Sequence, residues 1–378
     1  MNAGQTSPPL QYGEYALELA LINIPIHGDG VVTDSDRQRS TTPDNGTHGA
    51  LDRNLNEGRT GPAFILFEPL SPPTERRKSQ MVVFAVLPLS ETTALPLIDP
   101  SRPQFCFVFH ARDYPRVGNS SEGGVQRTLT IICEKPLALN EQQARDIHAL
   151  ATENDVLVVE GLMYRSHPQI RKTKELLESG AIGDVQYIHG QFTDYNKLNP
   201  KNWRSNRSQG GGSMTAKGCY LVDACNYFSG SRAKAAFCME SINADLNVEV
   251  GETATIVYEN GVTAQFETNH RSVWREELRV CGTNGTIVIP HAIVTKTQKR
   301  FIEIQRNGAY ETRPMETERI EFEACNSYEL QLINVYNHIK KGAELNLPIM
   351  DSVVNYTVTD ALMKSVETGR LEPVLWDQ

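Results

Sequence analysis

The fold of this chain is indicated by the stretch Leu129-Thr-Ile-Ile-Cys133, which runs directly into Glu134-Lys135-Pro136. A short apolar run of this kind is typical of a strand that is buried in a parallel sheet. A helix is predicted next, from Leu139-Asn140 to about Asn154, with Asn140 as its N-cap. Asp155-Val-Leu-Val-Val-Glu160 then predicts a second strand. Because a helix joins the two strands, we expect them to pair in parallel.

The sequence after residue 160 has the pattern of an antiparallel sheet with helices. Val185–Tyr195 alternates between apolar and polar residues, as a strand with one buried face does. Three Asn-Gly pairs, at 260–261, 284–285 and 307–308, predict hairpins with type I′ turns. Further helices are predicted at Gln169–Glu178, around 214–229, at Tyr328–Lys341 and at Val353–Thr368. The chain is therefore predicted to be α/β up to about residue 160 and α+β beyond it.

The sequence before Thr128 is less regular than the rest. Residues 28–62 are polar and show no sustained period, which is typical of loops or disorder. Met81–Leu87 and Gln104–Phe109 each have the composition of a buried strand. The first eighty residues contain no glycine-rich turn of the kind that opens a dinucleotide-binding site.

Composition limits the class of protein. The 378 residues are 39% hydrophobic and 22% charged, and their net charge of −9 disfavours binding to nucleic acid. No apolar run approaches the ~18 residues needed to cross a membrane, and the N-terminus lacks the pattern of a signal peptide. The seven cysteines form no CxxC pair, which favours reduced thiols in the cytoplasm. No spacing of His, Cys, Asp or Glu suggests a metal site.

Two residues are candidates for proton transfer. Lys135 follows a predicted strand, at the edge of the sheet where ligands of open parallel sheets lie. Gly210-Gly-Gly comes just before the helix that carries Tyr220 and Asp223. An amine and a phenol are suited to moving a proton while a hydride moves. The alternative is that Lys135 is a solvated loop residue and Tyr220 a packing residue.

Two arginines are candidates for substrate binding. Arg165 lies in the segment Glu160-Gly-Leu-Met-Tyr-Arg-Ser-His-Pro168, which follows a predicted strand, and Arg204 lies beside Trp203. Loops at strand ends collect functional residues, and arginine binds anionic or hydroxylated ligands. These residues predict a polar, hydroxylated small molecule, although solvated loops remain the alternative.

Three motifs in this order resemble the Gfo/Idh/MocA oxidoreductase family. They are Cys133-Glu-Lys-Pro-Leu-Ala-Leu139, the segment 160–168, and Gly210-Gly-Gly followed by Gly218-Cys-Tyr220. The resemblance spans roughly residues 128–375 and is strongest to the branch of glucose–fructose oxidoreductase and dimeric dihydrodiol dehydrogenase. It implies a Rossmann domain, and because the residues before 81 lack its first elements, we expect a partial, atypical Rossmann-like nucleotide-binding domain over 81–160 after an irregular, partly disordered region over 1–80. An α+β domain with a large open, mostly antiparallel sheet for substrate and oligomer contacts is then expected over 161–378.

The resemblance also implies an activity. It predicts an NAD(P)-dependent oxidoreductase that interconverts a hydroxyl and a carbonyl on a sugar, polyol or cyclic diol, with NADP or NAD as cofactor. Lys135 would polarise the reacting oxygen, and Tyr220 would be the general acid and base. Glu134 and Pro136, together with Lys135, would shape the nicotinamide side. Substrate would be bound by Arg165, Arg204 and Asp223, and the sheet would form a homo-oligomer. A cation beside the phenol is expected to lower the phenol's pKa.

The sequence departs from the family pattern in two places. Ala216 stands where the family usually has an aspartate, and Lys217 follows it at a commonly apolar position. In addition, the expected Gly-x-Gly-x-x-Gly turn is missing, and that turn normally anchors the pyrophosphate. These departures leave two alternatives: a non-catalytic relative that acts as a regulator or partner-binding protein, or a chain whose sequence before Thr128 comes from misjoined or mistranslated coding sequence.

Overall fold

The computed structural model describes residues 64–67, 82–88, 105–110, 129–195, 198–200, 202–207, 210–295, 298–306 and 316–376. Its first sheet has five strands in the order β1-β2-β3-β4-β5. These strands are β1 (Phe64–Phe67), β2 (Val82–Pro88), β3 (Phe105–His110), β4 (Leu129–Cys133) and β5 (Leu157–Glu160). The rest of the predicted irregular region over 1–80, including residues 28–62, lies outside the described residues.

The strand–helix–strand unit is formed as predicted. Helix α1 (Glu141–Glu153) connects β4 to β5, and these two strands pair in parallel. The Asn140 side chain accepts a hydrogen bond from Gln143 N at 2.9 Å, so it is the N-cap. The inner side of α1 buries Ala144, Ile147 and Ala151 against the sheet. This packing places the residues after β4 at the carboxyl edge of a parallel strand pair.

The strands before residue 128 pair antiparallel with their neighbours, whereas the strands of a Rossmann sheet are mostly parallel. The predicted strands are present as β2 and β3, but β1–β2, β2–β3 and β3–β4 are all antiparallel. An apolar run predicts that a strand exists but not its direction, because direction depends on the connection. The first sheet therefore contains one parallel pair, β4–β5, among the strands that the structure describes.

The second sheet has nine strands and is mostly antiparallel, as predicted. Its order is β13-β12-β11-β10-β6-β9-β8-β7-β14, and β6–β9 is its parallel pair within the described residues. The strands are β6 (Val185–Tyr195), β7 (Ala233–Asn243), β8 (Val248–Tyr258), β9 (Thr263–Asn269), β10 (Arg271–Gly282), β11 (Thr286–Ile289), β12 (Arg300–Arg306), β13 (Glu316–Phe322) and β14 (Glu372–Pro373). The helices are α2 (Pro168–Glu178), α3 (Cys219–Ser229), α4 (Ser327–Lys341) and α5 (Ile349–Thr368).

Two of the three predicted hairpins are confirmed, but their predicted turn type is wrong. The hairpins at 260–261 and 284–285 join β8 to β9 and β10 to β11. The third Asn-Gly pair lies outside the described residues. A type I′ turn needs positive φ at both central residues, and in the described part of the chain the non-glycine residues with positive φ are Asp155 and Asn247. Neither Asn260 nor Asn284 meets this requirement.

The main core lies on one face of the second sheet. Ile188, Ile256, Phe266 and Leu278 project from this face and pack with Leu221 of α3, all fully buried or nearly so. The opposite face carries polar pairs that join neighbouring strands, such as the hydrogen bond from Tyr187 OH to Gln265 Oε1 at 2.6 Å. The predicted homo-oligomer through this sheet, like the domain limits at residues 80 and 160, stays a prediction. None of the described helices is both long and apolar enough to span a membrane.

The glycine turn before Tyr220 generates a test of the fold. Gly212 has a φ of +122°, and a Cβ at this position would overlap Glu249 Oε1, which is held in a buried side chain. We expect Gly212→Ala to lower the free energy of unfolding by about 2 kcal/mol or more, since backbone strain and displacement of a buried carboxyl add together. Urea denaturation measures this change.

Gly180→Ala is the matched control for this variant. Gly180 has a φ of +72° but no atom within 4 Å of an added Cβ, so only the backbone strain of about 1 kcal/mol remains. Equal losses in the two variants would contradict the packing of Glu249 against the glycine turn.

Candidate active site

Lys135 and Tyr220 come together at the carboxyl edge of the parallel pair. Lys135 is partly buried directly after β4, and its Nζ donates a hydrogen bond to the carbonyl oxygen of Ala216. The peptide bond between Lys135 and Pro136 is cis. Lys135 Nζ lies 5.2 Å from the centroid of the Tyr220 ring. The ammonium and the phenol therefore belong to one site, although Lys135 follows a strand of the first sheet and Tyr220 lies on helix α3.

Tyr220 is enclosed by other aromatic side chains. It is 5% exposed, and its ring meets those of Tyr164 and Phe192 edge to face at centroid distances of 5.9 and 5.8 Å. Its hydroxyl contacts the sulfur of Met163 at 3.6 Å. Edge-to-face packing of this kind holds a ring in one orientation.

The pKa of Tyr220 is shifted in the direction opposite to the one expected. Burial raises the pKa of the phenol well above its ordinary value, and Tyr328, Cys219 and Glu134 raise it further. The expectation that Lys135 lowers this pKa is therefore wrong in net effect. Removing a phenolate from water is unfavourable, and here this outweighs the nearby cation. The phenol is protonated throughout the neutral range.

The residues before Tyr220 fold as a turn followed by two kinds of helix. Gly210 and Gly212 have positive φ, and Met214–Gly218 forms a π-helical turn that leads into α3. A Cβ at Gly218 would lie 2.5 Å from the sulfur of Met214, so a larger residue here would require the Met214 side chain to shift. The turn presents the carbonyl of Ala216 to Lys135 and thereby links the helix to the first sheet.

Arg165 and Asp223, predicted to bind substrate, are instead paired with each other. Arg165 Nε and Nη2 donate to the two carboxylate oxygens of Asp223 at 2.7 and 2.8 Å. Asp223 also accepts hydrogen bonds from Tyr164 OH and, at 2.7 Å, from Asn355 Nδ2. Arg165 is 3% exposed and Asp223 is fully buried. This geometry favours positioning of the Tyr164–Tyr220 contact over direct contact with a ligand, so the substrate-binding role of both residues stays a prediction.

Glu134 and Pro136 flank Lys135 in the chain, and Arg204 lies near Glu134. Burial raises the pKa of the Glu134 carboxyl, and the positive charges of Lys135 and Arg204 oppose this rise. Pro136 is buried, while Arg204 is exposed. Arg204 therefore lies close enough to Glu134 to act on its charge, on the side of the site that faces solvent.

Three features of the site were not predicted from the sequence. They are the contact of Phe192 with Tyr220, the stacking of Trp274 on Phe192 at 5.6 Å, and a cluster that joins Asp194, Lys217 and His270. Lys217 is an unusual charge in the sequence, but its partners are distant along the chain: Asp194 lies on β6, and His270 lies between β9 and β10. Alternation along β6 would have placed Phe192 and Asp194 on the same face.

The described residues fit the nicotinamide end of NAD(P). Glu134, Lys135 and Pro136 follow β4 at the carboxyl edge of a parallel pair, where nucleotide ligands lie in α/β sheets. The ammonium and the protonated phenol are groups that a hydroxyl or carbonyl needs during hydride transfer. Residues 1–63, where the family's pyrophosphate loop is expected, lie outside the described residues.

Breaking the buried ion pair of Arg165 and Asp223 tests whether this pair stabilises the structure around Tyr220. Asp223→Asn leaves the guanidinium of Arg165 without its full countercharge, so we expect the free energy of unfolding to fall by about 3 kcal/mol or more. Glu367→Gln, which breaks the exposed pair of Lys364 and Glu367 at 3.2 Å, should change it by about 0.5 kcal/mol or less. Urea denaturation of both variants would contradict the assignment if the two losses were similar.

Comparison with known proteins finds a family model and several relatives that this chain is similar to. Residues 170–288 match the family model of the GFO/IDH/MocA C-terminal domain. The chain is 27% identical to a trans-1,2-dihydrobenzene-1,2-diol dehydrogenase of Xenopus laevis, over 64% of this chain and 72% of that protein. It is 25% identical to an NADP(+) D-xylose 1-dehydrogenase of Haloferax volcanii, again over 64% of this chain and 72% of that protein.

A solved structure has the same fold. It is a 3-ketoreductase from Actinomadura kijaniata in complex with NADP and TDP-benzene, with a TM-score of 0.55 and 23% identity. The match covers 61% of this chain and 69% of that one. Together these matches confirm the resemblance to the Gfo/Idh/MocA oxidoreductase family that the three sequence motifs carry, and residues 170–288 match the C-terminal domain of that family.

Proposed function

We propose that this protein is an NAD(P)-dependent oxidoreductase that interconverts a hydroxyl and a carbonyl on a sugar, polyol or cyclic diol. The observation that carries the proposal is the convergence of Lys135 and Tyr220, with Lys135 Nζ 5.2 Å from the Tyr220 ring. The names of the relatives support this class of reaction, since they include a diol dehydrogenase and a sugar dehydrogenase. They favour the enzyme over a non-catalytic regulator that retains the same fold.

Lys135 is proposed to hold and polarise the reacting oxygen. Its recorded hydrogen-bond partner is the neutral carbonyl of Ala216, so the ammonium is fixed in place while its charge is kept. Two further donor hydrogens remain on an ammonium that makes one hydrogen bond. A cation directed at an oxygen that gains negative charge in the transition state lowers the barrier of the reaction.

Tyr220 is proposed to exchange the proton with that oxygen. Because burial raises its pKa, the phenol carries its proton at neutral pH and is ready to donate it to an alkoxide. Acting as a base requires the unfavourable phenolate, so reduction of the carbonyl is favoured over oxidation of the alcohol near neutrality. The cofactor, NADP or NAD, supplies or accepts the hydride when it is bound. Glu134, Lys135 and Pro136 would hold its nicotinamide end.

Removing either reacting group tests the proposal. We expect Lys135→Met and Tyr220→Phe each to lower the rate of hydride transfer by about 100-fold or more, as loss of a general acid or an oxyanion donor does. Binding of NADPH, followed by its fluorescence, should remain within about twofold of the wild-type protein, because either loss is worth most in the transition state. Tyr336→Phe changes a tyrosine that is 52% exposed on α4 and serves as the control.

Two results would contradict the proposal. One is a wild-type protein that binds neither NADPH nor NADH, and the other is wild-type turnover in Lys135→Met or Tyr220→Phe.

The raised pKa of Tyr220 also predicts how the activity depends on pH. Since the acid form persists until the pH passes the raised pKa, the rate of carbonyl reduction should stay level from about pH 6 to pH 9 with respect to this group. The oxidation rate should instead rise with pH over the same interval, because it needs the base form. Initial rates in both directions, measured across this range with saturating substrates, check the prediction. A reduction rate that falls with a midpoint near pH 7 in the wild-type protein, with the fall abolished in Tyr220→Phe, would contradict it.

A further inference from the structure

A line of aromatic rings connects Tyr220 to the surface. Trp274 stacks edge to face on Phe192 at 5.6 Å, and Phe192 meets Tyr220 at 5.8 Å. Phe192 is 5% exposed, whereas Trp274 is 49% exposed. An exposed indole that continues a buried aromatic cluster provides a flat apolar surface beside the reacting groups.

The position of Trp274 is fixed by an irregularity in the sheet. The pairing of β10 with β6 shifts register between Arg271 and Arg275, so the intervening residues bulge out of the ladder. Thr193 Oγ1 donates a hydrogen bond to the carbonyl oxygen of Val273 at 2.7 Å, which holds the bulge against β6. Bulges of this kind direct side chains and are frequent next to active sites.

A carboxylate lies beside this aromatic surface. Asp194 follows Phe192 by two residues on β6, so both side chains project from the same face, about 7 Å apart along the strand. Asp194 Oδ1 accepts a hydrogen bond from Lys217 Nζ at 2.7 Å and lies 3.0 Å from His270 Nδ1. Lys217 Nζ also donates to the carbonyl oxygen of Asn269 at 3.1 Å. Lys217 and His270 thus hold the Asp194 carboxylate in one orientation through its Oδ1 atom.

The second oxygen of this carboxylate is available to a ligand. The side chains of Lys217 and His270 are 6% and 3% exposed, but that of Asp194 is 22% exposed. Within the part of the chain that the structure describes, Asp194 Oδ2 has no recorded hydrogen-bond partner. Burial opposes ionisation, yet the hydrogen bonds and charges of His270 and Lys217 lower the pKa of Asp194. The group is therefore an ionised hydrogen-bond acceptor.

We propose that Trp274 and Asp194 form a subsite that selects a polyhydroxylated ring as substrate. The indole packs on the C–H face of the ring, and Asp194 Oδ2 accepts a hydrogen bond from a hydroxyl remote from the reacting carbon. A sugar ring has both features, whereas a simple cyclic diol has the apolar face but no third hydroxyl. This inference rests on the proposed function, since it places the substrate of that reaction beside Lys135 and Tyr220.

Binding of two probe ligands to the full chain tests this subsite. The probes are D-glucose and trans-cyclohexane-1,2-diol, titrated calorimetrically with and without NADP into the wild-type protein and into Asp194→Asn, Trp274→Leu and Tyr195→Ala. Asp194→Asn should weaken glucose about tenfold, as loss of a hydrogen bond to a charged group does, and leave the diol unchanged. Trp274→Leu should weaken both ligands, because it removes the shared apolar surface.

Tyr195→Ala is the matched control. Tyr195 is 80% exposed and adjoins Asp194, but alternation along β6 directs it to the opposite face, so both affinities should be unchanged. Asp194→Asn removes a countercharge from Lys217 and could therefore prevent folding. In that case Trp274→Leu, which alters an exposed side chain, still tests the subsite. Circular dichroism identifies that case.

The outcomes separate this inference from the proposed function. Wild-type affinity for glucose in both Asp194→Asn and Trp274→Leu overturns the subsite, as does a wild-type protein that never binds glucose saturably. Glucose binding with the expected variant pattern, but without hydride transfer to or from NADP or NAD for any sugar or diol, supports the subsite and contradicts the proposed function alone.

Discussion

The arrangement of the site depends on the hydrogen bond from Lys135 Nζ to the carbonyl of Ala216. Lys135 belongs to the edge of the first sheet, and Ala216 belongs to the π-helical turn that leads into α3 over the second sheet. The contact therefore fixes the ammonium relative to Tyr220, which follows Ala216 by four residues. A neutral acceptor orients a lysine without neutralising it, so the full positive charge remains for a ligand oxygen.

Burial, more than the neighbouring cation, sets the chemistry of the phenol. Lys135 lies over the ring of Tyr220, where it interacts with the π face, while the hydroxyl contacts the weakly polar sulfur of Met163. The hydroxyl is thus deprived of water and of strong hydrogen-bond donors, and its pKa rises. The buried pair of Arg165 and Asp223 holds this environment in place through Tyr164. Polar residues next to the aromatic cluster thus support the surroundings of a hydroxyl that they do not contact.

The sequence predicted the parts of the structure that depend on local patterns. Alternation gave the limits of β6 correctly, and Asn140 marked the start of α1. Contacts between residues that are distant in sequence leave no local signal. A substrate-binding role was predicted for Arg165 from its position in a loop, because nothing nearby in the sequence indicates its partner Asp223, 58 residues away. The prediction of type I′ turns was wrong because an Asn-Gly pair permits positive φ but does not require it. The direction of the strands before β4 could not be predicted for a similar reason, since the connections between strands, and not their composition, decide whether they pair parallel or antiparallel.

The replacement of the family's usual aspartate by Ala216 is consistent with the rest of the site. At this position the backbone carbonyl of Ala216, and not a side-chain carboxylate, accepts the hydrogen bond from Lys135. A carboxylate is nevertheless present nearby, because β6 supplies Asp194 and the adjacent residue Lys217 holds it at 2.7 Å. The two departures, an alanine and then a lysine, therefore make separate contacts: the Ala216 carbonyl accepts from Lys135, and Lys217 holds the carboxylate of Asp194 on β6. The loss of a helix carboxylate does not imply the loss of a polar substrate site.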